Sequence, residues 1–176
     1  LTEELFNRKY IKEIYMSFEN MISEDLIFLR ENFKSANDVI SFLSEQLKNY
    51  SYVNEGFLVA VLERESKFPT GLYLGDINVA IPHTDIKYAK KSGIAIARLN
   101  KPVNFRRMDN PDEEINVSLV FLLSVVDPKE YVNFLSKLTA SFGDSSFVKK
   151  LYLAESKEDF SKSLKESLKE KAEVSK

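Results

Sequence analysis

The stretch INVSLVFLLSVVDPKEYVNFLSKLTASFG, Ile115 to Gly143, changes its period half-way along. Its first part is a run of Val, Leu and Phe with few charges, which predicts a buried strand. At Asp127 the pattern becomes helical, with Asp127 as N-cap, Pro128 at the first helical position and Glu130 three residues past the cap. Gly143 stands where that helix should stop. A buried strand running straight into a capped helix predicts a layered α/β domain.

Working outward, INVAI (Ile77–Ile81) and GIAIARL (Gly93–Leu99) are further short runs of Val, Ile, Ala and Leu. Pro, Gly, Asn and Asp bound them, and they read as strands. Upstream, SANDVISFLSEQL opens on Ser35 and Asp38 like a capping box and lines up Val39, Phe42, Leu43 and Leu47. A second helix is expected from about Asn54 to Glu65. Residues 3 to about 20 space Leu5, Phe6, Ile11, Ile14, Phe18 and Met21 as an amphipathic N-terminal helix. Downstream, SSFVKKLYLA and KEDFSKSLKESLKEK predict two more helices, the last turning polar and lysine-rich. Hydrophobic strands of this kind need cover on both faces, so helices flanking a mixed sheet are expected.

A chain of 176 residues suits one domain. The expected division is a helical extension over 1–21 and a domain over 22–176 that ends in the polar helix. The balance of 25 basic and 27 acidic residues gives no general field for nucleic acid or anionic lipid. No apolar run approaches the roughly 20 residues of a membrane-spanning helix, and a cytoplasmic setting is expected. The absence of cysteine removes disulfides, thiolate nucleophiles and zinc–thiolate clusters. There is no P-loop, no dinucleotide fingerprint and no H-E-x-x-H, although scattered carboxylates leave a magnesium site open.

The sole histidine, His83, follows Pro82 at the end of INVAI. Proline fixes its own φ and biases Ile81 to an extended conformation, so the imidazole should sit on a constrained strand end. A neutral imidazole carries a free lone pair that can attack phosphorus or carbon. Upstream, Arg64 could hold an anion by forked hydrogen bonds, with Thr70, Thr84 and backbone N–H groups near Gly71 as further donors. Such a set suits a transferring phosphoryl group. The plainer alternatives are a solvent-facing ion pair of Arg64 with Glu63 or another helix carboxylate, an ordinary turn at PTGL and a histidine that is just a surface or hydrogen-bonded residue.

ERESKFPTGLYLGDINVAIPHTD, Glu63 to Asp85, resembles the enzyme IIA components of the bacterial phosphoenolpyruvate-dependent sugar phosphotransferase system (PTS). The likeness is to the fructose-mannitol superfamily, nearest to galactitol-type members, and extends over roughly Ile22 to Leu164. It implies a three-layer α/β/α sandwich on a mixed sheet, the mannitol-type enzyme IIA fold. It also implies a phosphocarrier that needs no cofactor, accepting phosphoryl from the phosphocarrier HPr and passing it to a cysteine of enzyme IIB. Peripheral association with the membrane would come through enzymes IIB and IIC. His83 matches the acceptor, Arg64 the residue that neutralises phosphoryl oxygens, and Glu65 its accompanying acid. Where mannitol- and fructose-type members carry a second histidine, this chain has Tyr131, which can donate a hydrogen bond but not become a cation near neutral pH. Phe68, Tyr73, Ile86 and Tyr88 are candidate rim residues for docking partners. The rival reading is an enzyme IIA-like regulatory domain of a PTS-controlled transcription regulator, or a regulatory paralogue.

Overall fold

The computed structural model describes residues 2–174, except for the side chains of residues 2, 11, 14–17 and 172–174. Helix α1 (Thr2–Met21) leads to strand β1 (Ile27–Glu31), then α2 (Ala36–Asn49), α3 (Phe57–Lys67), β2 (Gly71–Leu72) and β3 (Asn78–Ala80). The long strands β4 (Gly93–Arg106) and β5 (Glu114–Ser124) follow, and α4 (Pro128–Phe142), α5 (Ser145–Leu153) and α6 (Lys157–Val174) complete the chain. The sheet order is β1-β4-β5-β3-β2. The β1/β4 and β3/β5 pairs are parallel, and the β4/β5 and β2/β3 pairs antiparallel. The expected mixed sheet is present.

Strand alternation divides the core into two layers. Ile94 and Ile96 of β4, with Leu119, Phe121 and Leu123 of β5, face a cluster completed by Phe134, Leu138, Phe147, Leu151, Phe160 and Leu164. Ala95, Ala97, Val120 and Leu122 face the other way, against Val39, Leu43, Leu47, Phe57 and Val61. The two alanines leave room for α2 to lie close to the sheet. Helices therefore cover both faces, as the three-layer expectation requires.

The caps follow the sequence closely. The Ser35 hydroxyl accepts from Asp38 N–H at 3.2 Å, and Asp127 accepts from Lys129 and Glu130 N–H at 2.8 and 3.0 Å. Helix α3 begins later than Asn54, because the Asn54 side chain turns back to accept from Gly56 N–H at 3.2 Å. Strand β4 continues well past Leu99, through a register shift between Arg98 and Val103 that accommodates Pro102. Among the described side chains of α1, Phe18 and Met21 are buried while Leu5 and Phe6 are exposed, so its apolar face is narrower than expected. Ile11 and Ile14 lie outside the described side chains.

Candidate functional site

Three elements converge on His83. Strand β3 delivers it, because the strand ends at Ala80 and Ile81–Pro82 carries the chain to the sheet rim. Leu123 N–H bonds the Pro82 carbonyl at 3.2 Å on one side, and Ile81 N–H bonds the Thr70 carbonyl at 3.3 Å on the other. The backbone before the imidazole is thus gripped from β5 and from the start of β2.

His83 is 8% exposed, and its ring Nδ1 lies 2.7 Å from the Ile81 carbonyl oxygen. A carbonyl only accepts, so Nδ1 must carry the proton, and the lone pair of the neutral ring resides on Nε2. Burial is the main cause holding the His83 pKa below its ordinary value, with Arg64 adding like-charge pressure and the Ile81 hydrogen bond opposing both. At neutral pH the site therefore presents a neutral imidazole of one tautomer.

An open depression of about 410 Å³ surrounds it, lined by Arg64, His83, Thr84, Asp85, Ile86, Lys87, Pro128, Tyr131 and Val132. Helix α3 brings Arg64 and the first turns of α4 bring Tyr131, whose N–H bonds the Asp127 carbonyl at 2.9 Å. Arg64 does not pair with Glu63, which takes Lys67 at 2.7 Å instead. Its guanidinium carbon lies 5.7 Å from the Phe68 ring centre, and its buried Nε has no hydrogen-bond partner among the described residues. Burial raises the pKa of Tyr131, so its phenol remains a neutral donor.

Four of the sequence-selected residues, Arg64, His83, Thr84 and Tyr131, thus share one depression. Glu65 and Thr70 do not line it. The buried Glu65 carboxylate accepts from the Thr70 N–H at 2.9 Å and from its hydroxyl at 2.8 Å, so these two are joined to each other behind the histidine. Of the candidate rim residues, Phe68, Tyr73 and Ile86 are exposed, whereas Tyr88 packs half-buried against the α2–α3 layer. Sequence reasoning missed the Ile81 carbonyl, which no residue-type pattern signals. It also missed Pro128 and Val132, which the i, i+3, i+4 spacing with Tyr131 would have placed on one helix face.

A family model of the phosphoenolpyruvate-dependent sugar phosphotransferase system, EIIA 2, matches residues 20–167. The chain belongs to this family. It is 29% identical over 127 residues to the galactitol-specific EIIA component of the PTS of Escherichia coli strain K12, covering 71% of this chain and 84% of that protein. It is 30% identical over 128 residues to the transcriptional regulator ManR of Bacillus subtilis strain 168, covering 72% of this chain but 18% of that one. The EIIA fold itself is seen in the complex of enzyme IIAMTL and phosphorylated enzyme IIBMTL from Escherichia coli. That structure aligns with a TM-score of 0.69 at 23% identity, over 81% of this chain and 96% of that one. The expected mannitol-type fold is therefore borne out. No helix among the described residues of this EIIA chain is long and apolar enough to cross a membrane.

Proposed function

We propose that this EIIA chain is a phosphocarrier that takes a phosphoryl group from phospho-HPr on Nε2 of His83 and passes it to a cysteine of an enzyme IIB. The observation that carries this reading is the 2.7 Å contact between His83 Nδ1 and the Ile81 carbonyl, which reserves Nε2 as the nucleophile. In the transfer the donor's P–N bond breaks as a P–Nε2 bond forms. The positive charge arising on the ring is stabilised through Nδ1–H by the Ile81 carbonyl. Arg64, with its unpartnered Nε, neutralises the phosphoryl oxygens, and Tyr131 and Thr84 offer further donors. Exposed Phe68, Ile86 and Val132 form an apolar rim that two partners can dock on in turn.

In this reading the domain runs from 22 to 176, residues 1–21 form a helical extension, and the protein works in the cytoplasm. The test is intact mass after incubation with phosphoenolpyruvate, enzyme I and HPr at mildly alkaline pH. A single phosphoryl adduct that requires HPr and disappears in His83→Ala is expected, and absence of the adduct in a folded sample refutes the reading.

Similarity to ManR favours a second reading, a regulatory module that is phosphorylated without passing the group on. Transfer from phosphorylated protein to the cysteine of a cognate enzyme IIB distinguishes the two.

A further inference from the structure

Behind the depression, a clasp connects the buried Glu65 to the imidazole. Both carboxylate oxygens of Glu65 hold Thr70, one at its N–H (2.9 Å) and the other at its hydroxyl (2.8 Å). The Thr70 carbonyl accepts from Ile81 N–H at 3.3 Å, and the Ile81 carbonyl accepts from His83 Nδ1–H at 2.7 Å. We propose that Glu65 is a positioning residue for His83, setting the tautomer and orientation of the ring through Thr70 and Ile81 without touching the transferred group. Its catalytic consequence rests on His83 being the phosphoryl acceptor.

The topology makes this path hard to replace. Gly71 and Leu72 pair with Ala80 and Val79, and the Thr70–Ile81 bond extends that short ladder by one rung. Pro82 has no N–H, so on this edge Ile81 N–H is the last donor before the histidine. The direction of the Thr70 carbonyl therefore fixes the Ala80–Ile81 peptide and, with the Leu123–Pro82 bond on the other side, helps place the Ile81 carbonyl; Thr70 is itself held by Glu65. Burying a carboxylate is costly unless its oxygens are satisfied, and here both are used on one residue. Burial raises the Glu65 pKa, which the Thr70 hydrogen bonds oppose.

The influence is positional rather than electronic. The Thr70 N–H and C=O belong to different peptide groups, and so do those of Ile81, so no conjugated path carries charge from Glu65 to the ring. What matters is a side chain that can bond both Thr70 groups. Glutamine can do so, its carbonyl accepting from the N–H and its amide donating to the hydroxyl oxygen.

The test is the tautomer of the single imidazole, read from its ring ¹⁵N shifts and ¹⁵N–¹H correlations in the unphosphorylated protein, alongside the rate of phosphoryl uptake. The parent protein should show Nδ1–H alone. Glu65→Ala should give mixed tautomers and uptake slower by on the order of tenfold to a hundredfold, while Glu65→Gln should restore the single tautomer. Should Glu65→Ala not fold, Thr70→Val, which removes only the hydroxyl contact, should move the tautomer in the same direction. An undisturbed Nδ1–H signature in folded Glu65→Ala or Thr70→Val overturns the proposal, as does a Glu65→Gln protein that behaves like Glu65→Ala. If the parent takes up no phosphoryl yet the tautomer shifts as expected, the phosphocarrier reading fails and the clasp stands.

Discussion

Tyr131 faces His83 across the depression, their ring centres 5.6 Å apart and their planes inclined by 60°. The phenol stands beside His83, at the position where the resemblance to mannitol- and fructose-type members implies a second imidazole. Burial keeps it protonated, so it can donate one hydrogen bond to a phosphoryl oxygen but supply no charge. Tyr131→Phe should therefore leave the fold intact and slow phosphoryl uptake about fivefold, the equivalent of about 1 kcal/mol for a single hydrogen bond. Stopped reactions followed by intact mass would measure this. An unchanged rate would assign Tyr131 to packing alone.

Because His83 is the only histidine, its titration is directly visible. Its folded pKa lies below the ordinary imidazole value of about 6.5, chiefly through burial. As pH falls below that value the unfolded chain takes up a proton before the folded one does. The unfolded state then binds more protons, and folding stability falls with falling pH. The contribution is fully present above about 6.5 and is lost as pH drops through the folded pKa. Urea titrations between pH 7.5 and 5 should show this slope in the parent and a reduced one in His83→Asn. The imidazole C–H resonances should move with a midpoint below 6.5.

Much of this architecture is legible in residue order because β4 alternates Ile with Ala over Ile94–Ala97 and β5 is an uncharged, mostly apolar run from Val117 to Leu123, so both read as buried strands. The short strands are not. Strand β1 is a five-residue segment, IFLRE, interrupted where Arg30 adopts φ 63° and the register against β4 shifts. Strand β2 is two residues long and exists only because β3 and the end of β4 lie beside it. The same limit applies at the site. Arg64, His83 and Tyr131 could be selected by residue type, but the engagement of Thr70 with Glu65, rather than with a ligand, depends on how α3 ends against β2. Hydrogen-bond partners set by tertiary contact leave no periodic trace.

Gly71 sits at the tightest point of that junction. A Cβ there would lie 2.6 Å from the Arg106 carbonyl oxygen, a backbone atom that cannot swing away, and 3.3 Å from Ile115 Cδ1. Met108 N–H also bonds the Gly71 carbonyl at 2.8 Å, so the two segments cannot separate without losing that bond. Gly71→Ala should cost about 1–3 kcal/mol as overpacking. For a chain of this size that lowers Tm by roughly 2–12 °C. Since Gly71 follows Thr70, phosphoryl uptake at a temperature where the variant is folded should fall as well. Calorimetry and the uptake assay together check both effects, and a neutral Tm would mean that β2 is free to move aside.

Arg64 affects the site in two ways that a substitution can separate. Its positive charge helps depress the His83 pKa, and its guanidinium is available for a phosphoryl group because Glu63 is occupied by Lys67. Removing it in Arg64→Ala should raise the His83 pKa, which by itself would increase the protonated, non-nucleophilic fraction only near and below pH 6.5. The loss of transition-state charge stabilisation should be far larger, on the order of a hundredfold in uptake at pH 8. Arg64→Lys keeps the charge but not the planar fork, so it should leave the His83 titration close to the parent while recovering only part of the rate. A proton titration paired with uptake rates at pH 8 resolves the two contributions. If Arg64→Ala shifts the titration but not the rate, the arginine tunes the imidazole without holding the phosphoryl, and the phosphoryl oxygens are held by the neutral hydrogen-bond donors of Tyr131, Thr84 and the backbone.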